Sequence, residues 1–193
     1  MKSELHPLKP FLPTKARMLM LGSFPPQRSR WSMEWFYPNF QNDMWRIWGY
    51  IATGNKNHFI HSDGKRFDKE KIEAFCIEQG IALYDTAEEV IRLKNNASDN
   101  FLQIIRTTDL VSLLKRIPEC NTVVATGQKA AEALQAITGS EKLPVGGCCD
   151  AEYANRRLKL WRMPSSSRAY PRSIEWKAEY YRRILALKSS QTN

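Results

Sequence analysis

The sequence predicts a single α/β domain with three layers, α/β/α, in which helices cover both faces of a central four-stranded parallel sheet. Four short apolar runs are typical of buried strands: residues 17–21, 81–84, 122–126 and 158–162. Helical patterns lie between these runs, and repeated alternation of strand and helix is characteristic of a parallel sheet. The 193 residues are enough for one well-buried core. We therefore expect residues 1–193 to form one domain, with a frayed end at about 189–193.

Residues that favour helix ends define the predicted helices. The predicted first and last boundary residues are Asp68 and Gly80, Thr108 and Pro118, Gln128 and Gly139, and Ser173 for the last helix. A further helix is expected to begin after Asn42 and to run to about Thr53. Residues 140–157 carry no such pattern, and we expect them to form a long surface connection.

Positive charge is concentrated in the last part of the chain. The net charge is +9, and residues 151–193 contain ten basic and three acidic residues, which account for +7 of it. A concentrated positive field attracts phosphate backbones and makes their binding dependent on salt. A solvated, soluble surface explains the same composition equally well.

Membrane and secretory classes are not expected, because no apolar run approaches the length of a membrane span and residues 1–7 lack an apolar signal region. A cytoplasmic protein is the expectation. The four cysteines are not spaced as a zinc or iron–sulfur site, and Cys148-Cys149 is predicted to be small apolar filler. The histidines of His58-Phe59-Ile60-His61 lack a nearby carboxylate set. We therefore predict neither metal nor cofactor.

Ligands of parallel α/β sheets bind beyond the carboxyl ends of the strands, which directs attention to the segments that follow each strand. After the first strand, Gly22-Ser23-Phe24-Pro25-Pro26 combines a tight exit with a stiff loop, and by itself it fits a rigid turn. Residues 31–45 are rich in aromatic side chains that could stack on a planar base or pack in the core. Asn42 stands where a helix N-cap belongs.

The segment after the last strand is Met163-Pro164-Ser165-Ser166-Ser167-Arg168, followed closely by Arg172. Small hydroxyl residues allow a phosphate to approach the backbone, and the two arginines supply charge. A polar turn that leads into the last helix is the alternative. The position of this segment at a strand end, within the most basic part of the chain, favours a role in binding.

Together these segments resemble the uracil-DNA glycosylase superfamily, and most closely its hypoxanthine-DNA glycosylase branch. The matching residues are Gly22-Ser23-Phe24-Pro25, then Phe36-Tyr37 followed by Asn42-Asp43-Met44-Trp45, then Pro164-Ser165-Ser166-Ser167. Residues 80–85, 98–100 and 123–127 fit the middle strands of that family in the same order. The resemblance spans roughly residues 15–187 and implies the uracil-DNA glycosylase-like fold.

The resemblance implies hydrolysis of the bond between a flipped, deaminated base and its sugar, with DNA as the partner and no metal. It implies Asn42 as the catalytic or base-recognising amide and Tyr37 as the stacking ring. The substrate pocket would be lined by Gly22, Ser23, Phe24 and Met163. DNA would be bound by Pro164, Ser165, Ser166, Ser167, Arg168 and Arg172, with Arg168 either on a phosphate or as the wedge in the gap left by the base. A monomer is expected.

Three features depart from much of the superfamily. Phe24 stands where many members carry a water-activating Asp or Asn, and Met163 stands where many carry a base-bonding His or Asn. The hypoxanthine branch is apolar at both places. Residues 38–41 read Pro-Asn-Phe-Gln where that branch usually has Ala-His-Pro-Arg. Two alternatives therefore stay open: a catalytically weak nucleic-acid-binding member of the fold, and an unrelated α/β enzyme that acts on free nucleotides.

Overall fold

The four predicted apolar runs form neighbouring strands of one sheet. The structure is a computed structural model that describes residues 2–93 and 101–189. The predicted match at 98–100 lies outside the described residues. In chain order the strands are β1 (Glu4–Leu5), β2 (Met18–Gly22), β3 (Ile81–Asp85), β4 (Ala87–Arg92), β5 (Leu102–Thr107), β6 (Thr122–Thr126), β7 (Cys148–Tyr153) and β8 (Arg156–Met163). The helices are α1 (Met44–Thr53), α2 (Lys69–Gln79), α3 (Leu110–Arg116), α4 (Gln128–Thr138) and α5 (Ile174–Ser189).

The main sheet has the order β3-β2-β6-β8-β7, and its first four strands run parallel. The predicted four-stranded parallel sheet is corrected by β7, a fifth strand that pairs antiparallel with β8 at the edge. The predicted surface connection at 140–157 therefore contains a strand. Ala154 and Asn155 have φ values of 53° and 57°, which two-residue hairpin turns require. Cys148 is exposed on this edge strand and is not core filler.

A second, three-stranded sheet has the order β1-β4-β5 and is antiparallel throughout. The sequence did not predict it. Its register shifts twice between Ala87 and Val90, and the shifts interrupt the period-two alternation by which a half-buried strand is recognised. A small apolar cluster of Phe24, Ala87, Val90 and Leu102 forms beside it.

Helix ends follow most of the predicted capping residues. Asp68 accepts a hydrogen bond from the Lys71 amide (3.1 Å), and Gly80 ends α2 with a φ of 63°. Ser173 Oγ accepts from the Trp176 amide (3.1 Å). The prediction for Thr108 is wrong, because Asp109 caps α3 instead. Thr108 is buried, and its hydroxyl donates to the Asp85 carbonyl (2.7 Å).

The helices pack on the main sheet and on one another, which gives a mixed α/β fold. Helix α2 contacts β3, α4 contacts β6, and α1 contacts α5. The contact between α1 and α5 is aromatic, since the buried rings of Trp48 and Tyr181 meet edge to face at 6.0 Å. Within the described residues, no helix is both long and apolar enough to cross a membrane.

Candidate active site

The strand register brings the predicted site segments to one edge of the main sheet. Gly22, the last residue of β2, lies beside Asp85, the last residue of β3. Thr126 at the end of β6 lies beside Met163 at the end of β8. The carboxyl ends of these four parallel strands therefore share one edge, and the loops that leave them are neighbours.

Gly22 allows two polar side chains to approach the end of β2. A Cβ atom at this position would overlap Asp85 Oδ1 and would lie 3.4 Å from the Tyr37 hydroxyl. The φ of Gly22 is not positive, so its backbone conformation does not by itself require glycine. The lack of space for a Cβ atom is what requires it. The carboxylate of Asp85 and the hydroxyl of Tyr37 both border the backbone that the sequence predicts to line the pocket.

Tyr37 is held in a backbone conformation that is uncommon for a large side chain. Its φ is 50°, in the left-handed region, and such residues concentrate at functional sites. Its hydroxyl shares a 2.8 Å hydrogen bond with Thr126 Oγ1. The residues on either side are fixed as well: Trp45 Nε1 donates to the Phe36 carbonyl (3.0 Å), and Ser32 Oγ donates to the Pro38 carbonyl (2.8 Å).

Asn42 contacts the start of α1 through the oxygen of its side-chain amide. Asp43 is the N-cap residue, but the Met44 amide donates to Asn42 Oδ1 (2.9 Å), so the capping interpretation of Asn42 holds in part. The backbone of Asn42 pairs with that of Ser167 in an isolated antiparallel bridge, and the Asp43 amide donates to the Ser166 carbonyl (2.9 Å). The predicted amide and the predicted phosphate loop are therefore joined directly.

A buried ionic cluster reinforces this junction. Asp43 accepts from Arg168 Nε (3.0 Å) through one carboxylate oxygen and from Lys177 Nζ (3.3 Å) through the other. The Lys177 side chain is 0% exposed, and its ammonium also donates to the Ser167 carbonyl (3.0 Å). Arg168 donates further to Gln41 Oε1 (3.1 Å). The cluster ties the start of α1, the loop and α5 together.

The loop that follows β8 has a buried base and a polar, partly exposed end. The Tyr181 hydroxyl donates to the Pro164 carbonyl (3.0 Å), and Ser166 is buried. Ser165 faces Gly127, the residue after β6, since a Cβ on that glycine would lie 3.6 Å from the Ser165 Cβ. Arg172 is exposed, with its guanidinium 5.1 Å from the centre of the Trp176 ring.

The other predicted pocket residues are buried. Phe24 packs in the small cluster beside the second sheet and touches the His6 ring edge to face at 5.3 Å. Met163 is 0% exposed and belongs to the main core. Ser23 is also buried. The predictions that Ser23, Phe24 and Met163 contact substrate stay predictions.

Sequence reasoning missed four residues of this edge: His6, Asp43, Asp85 and Lys177. His6 Nε2 lies 2.8 Å from Asp85 Oδ2, and their side chains are 2% and 9% exposed. Asp85 had a signal, because it is a carboxylate that directly follows an apolar strand. His6 and Lys177 had none, since each reaches its partner only through the tertiary fold.

Burial alters two ionisable groups close to the site. Burial lowers the pKa of the Arg46 guanidinium, Arg168 lowers it further, and Asp43 opposes the change. Arg46 donates to the carbonyls of Phe40 (2.8 Å) and Asn42 (3.3 Å), which fixes the turn before α1. Burial, reinforced by the charge of Glu88, raises the pKa of Tyr84 to about 12.

The described residues do not bring together three His, Cys, Asp or Glu side chains that could hold a metal ion. The predicted weak candidates are dispersed. His61 pairs with Asp63 at 3.1 Å, while His58 packs on Phe59 with the ring centres 4.7 Å apart.

The sheet order and the edge site define an α/β protein with its candidate site at the carboxyl ends of four parallel strands. The fold is similar to that of a Methanosarcina acetivorans protein solved by solution NMR and described as a "putative Uracil DNA glycosylase". The TM-score is 0.57 at 22% sequence identity, over 89% of this chain and 95% of that chain. The two proteins share a fold. No protein-family model matches the sequence, and no curated protein in the comparison matches it.

Proposed function

We propose that this chain is a DNA glycosylase that hydrolyses the N-glycosidic bond of a flipped deaminated base, hypoxanthine or uracil. The observation that carries the proposal is the backbone bridge between Asn42 and Ser167. Asn42 and the loop at 164–168 are neighbours through this bridge, at the strand ends where ligands of α/β proteins bind, and this supports a shared role in one site. The similar fold of the archaeal protein supports the same class of enzyme.

The chemistry requires a ring to stack on the flipped base, a donor for the leaving base and a positioned water. Tyr37, fixed by Thr126, provides the ring. Because the Met44 amide occupies Asn42 Oδ1, the Asn42 Nδ2 group is the donor that faces the base. The leaving base develops negative charge, and this donor stabilises it more strongly in the transition state than in the ground state.

The loop at 164–168 and the exposed Arg172 bind the backbone phosphates that flank the flipped nucleotide. Of the two roles expected for Arg168, the phosphate contact is favoured. Acting as a wedge would cost its hydrogen bonds to Asp43 and Gln41. The enzyme acts as a cytoplasmic monomer, is monofunctional and uses no metal.

A panel of oligonucleotides tests this function. Purified protein is incubated in excess EDTA with single and double strands that contain uracil, hypoxanthine or xanthine, and abasic sites are detected by alkaline cleavage. We expect abasic product from at least one uracil or hypoxanthine substrate and none from undamaged DNA. If every deaminated strand stays intact with and without EDTA, the chain is not a glycosylase of this class.

A nucleic-acid-binding member of the fold with little or no turnover is the second candidate. The burial of Phe24 and Met163 favours it, since neither position offers a polar group to a substrate. It predicts salt-sensitive binding of DNA, absence of abasic product, and the same affinity in Asn42→Ala as in the unmodified protein. Loss of activity in Asn42→Ala with retained affinity supports the glycosylase instead.

A further inference from the structure

We propose that Asp85 is the general base that activates the hydrolytic water, and that His6 is the residue that positions it. The inference rests on the proposed glycosylase activity and deepens it. Phe24 cannot activate water, so the group must come from elsewhere on the same edge of the sheet. Asp85 is the carboxylate that the strand register places directly beside Gly22, two residues before Phe24.

The two oxygens of the Asp85 carboxylate have different surroundings. Oδ2 lies 2.8 Å from His6 Nε2. Oδ1 lies against Gly22, in the space that a Cβ would fill, and that same point is 3.4 Å from the Tyr37 hydroxyl. Oδ1 is therefore close to the hydroxyl end of Tyr37, and we assign the contact with the hydrolytic water to this oxygen.

Both ring nitrogens of His6 have partners. On the side away from Asp85, Nδ1 is 3.1 Å from the Leu8 amide and 2.9 Å from the Leu8 carbonyl. When Nδ1 accepts from that amide, the ring proton is on Nε2, which then donates to Asp85 Oδ2. The ring packs against Tyr84 at 4.6 Å and against Phe24 at 5.3 Å.

The pair of His6 and Asp85 is not needed to hold the amino-terminal segment on the protein. Backbone hydrogen bonds already hold that segment on both sides of His6, from the His6 amide to Glu88 (2.8 Å) and in both directions between Phe11 and Leu83. A buried ion pair is a weak source of stability, because desolvation offsets most of the attraction.

The reaction step balances with water as the only co-reactant. Asp85 Oδ1 takes a proton from the water, and the water oxygen forms a bond to C1′ of the flipped nucleotide. The bond between C1′ and the base nitrogen breaks, and its electron pair leaves with the base. The proton that Asp85 received returns through solvent to the base anion. The products are a neutral base and an abasic sugar.

Asp85→Asn tests the role of the carboxylate. Removing a general base costs about 10²–10⁴-fold in rate, so we expect a loss of kcat in that range with unchanged DNA affinity. Asp85→Asn that turns over at the unmodified rate overturns the inference. If the unmodified protein is itself inactive on the whole panel, the proposed function fails, and this inference fails with it.

His6→Gln and His6→Leu test the positioning role and remain informative if Asp85→Asn does not fold. Glutamine keeps a donor for Asp85 and leucine does not, so kcat should be retained better in His6→Gln than in His6→Leu. Glu4→Gln is the matched control, because Glu4 lies two residues before His6 and pairs with Arg92 at 3.0 Å and not with Asp85. We expect it to leave kcat unchanged. Equal rates for both His6 variants and the unmodified protein overturn the role of His6.

Discussion

Tyr37 shows how a single residue can be prepared for binding before any ligand is present. A left-handed backbone conformation is unfavourable for a large side chain, so the surrounding contacts must maintain it. The hydrogen bond to Thr126 and the fixed residues on either side provide those contacts. Tyr37 and its neighbours are therefore held in place from β6, from α1 and from their own loop, and little entropy is lost when a base stacks on the ring.

Tyr37→Phe should lower the free energy of unfolding by about 1 kcal/mol, the net value of one hydrogen bond. Thr126→Val should cost more, because the Thr126 hydroxyl also donates to the Leu21 carbonyl (3.2 Å). The double variant should lose less than the two single losses together, because the same bond is removed only once. Urea denaturation measures all three. Tyr153→Phe, at a half-buried tyrosine on β7, is the control and should change stability little. Fully additive losses would show that the two hydroxyls do not depend on each other.

At the scale of elements, the cluster of Asp43, Arg168 and Lys177 joins the start of α1, the loop after β8 and α5. Helix α1 is far in sequence from the loop and from α5, and the backbone bridge from Asn42 to Ser167 lies beside the cluster. A fully buried lysine is tolerated because both the Asp43 carboxylate and the Ser167 carbonyl accept from it. The position of the candidate amide therefore depends on α5.

Lys177→Met should lower the free energy of unfolding by about 1–3 kcal/mol, because it leaves one oxygen of the buried Asp43 carboxylate and the Ser167 carbonyl without their donor. Lys159→Met is the matched control. Lys159 pairs with Asp150 at 3.1 Å on the surface, where the loss should stay below about 1 kcal/mol. Urea titration of both variants measures the difference. Equal losses of stability in the two variants would show that the buried pair of Lys177 and Asp43 stabilises the protein no more than the surface pair.

The elements that could be predicted from sequence are those with a local signal. The middle of the run at 122–126, Val123-Val124-Ala125, is wholly apolar and buried because both faces of a central parallel strand are covered. Asp68 and Gly80 mark their helix ends by their own chemistry. The antiparallel strands β4, β5 and β7 lack a continuous apolar pattern, and the register shifts near Glu89 obscure alternation further. The pairing of His6 with Asp85 joins residues 79 positions apart, and no local pattern indicates it.

At the scale of the whole molecule, the basic carboxyl-terminal part lies next to the candidate site. Most of the net charge of +9 belongs to residues 151–193, which include the loop at 164–168 and α5. Part of this charge is internal, since Lys177 is buried and Arg168 is paired with Asp43. Exposed arginines such as Arg172 are therefore the better guide to the DNA-binding face.

Arg172→Gln should reduce the slope of log K against log salt for DNA binding by about 1, the value expected for one phosphate contact. Fluorescence anisotropy with a labelled duplex between low and moderate salt measures the slope. Arg66→Gln is the control, because Arg66 pairs with Asp63 at 2.9 Å, away from the loop, and its slope should not change. The same slope in Arg172→Gln as in the unmodified protein would exclude Arg172 from the interface.

The most direct test of the glycosylase proposal compares abasic-site formation by the unmodified protein and Asn42→Ser under single-turnover conditions in EDTA. Serine keeps an oxygen for the Met44 amide, so the free energy of unfolding should stay within about 0.5 kcal/mol. Loss of the amide donor should slow the reaction by about 10²–10³-fold, the cost of one such donor. A stable Asn42→Ser variant that forms abasic sites at the unmodified rate would contradict the account of the site.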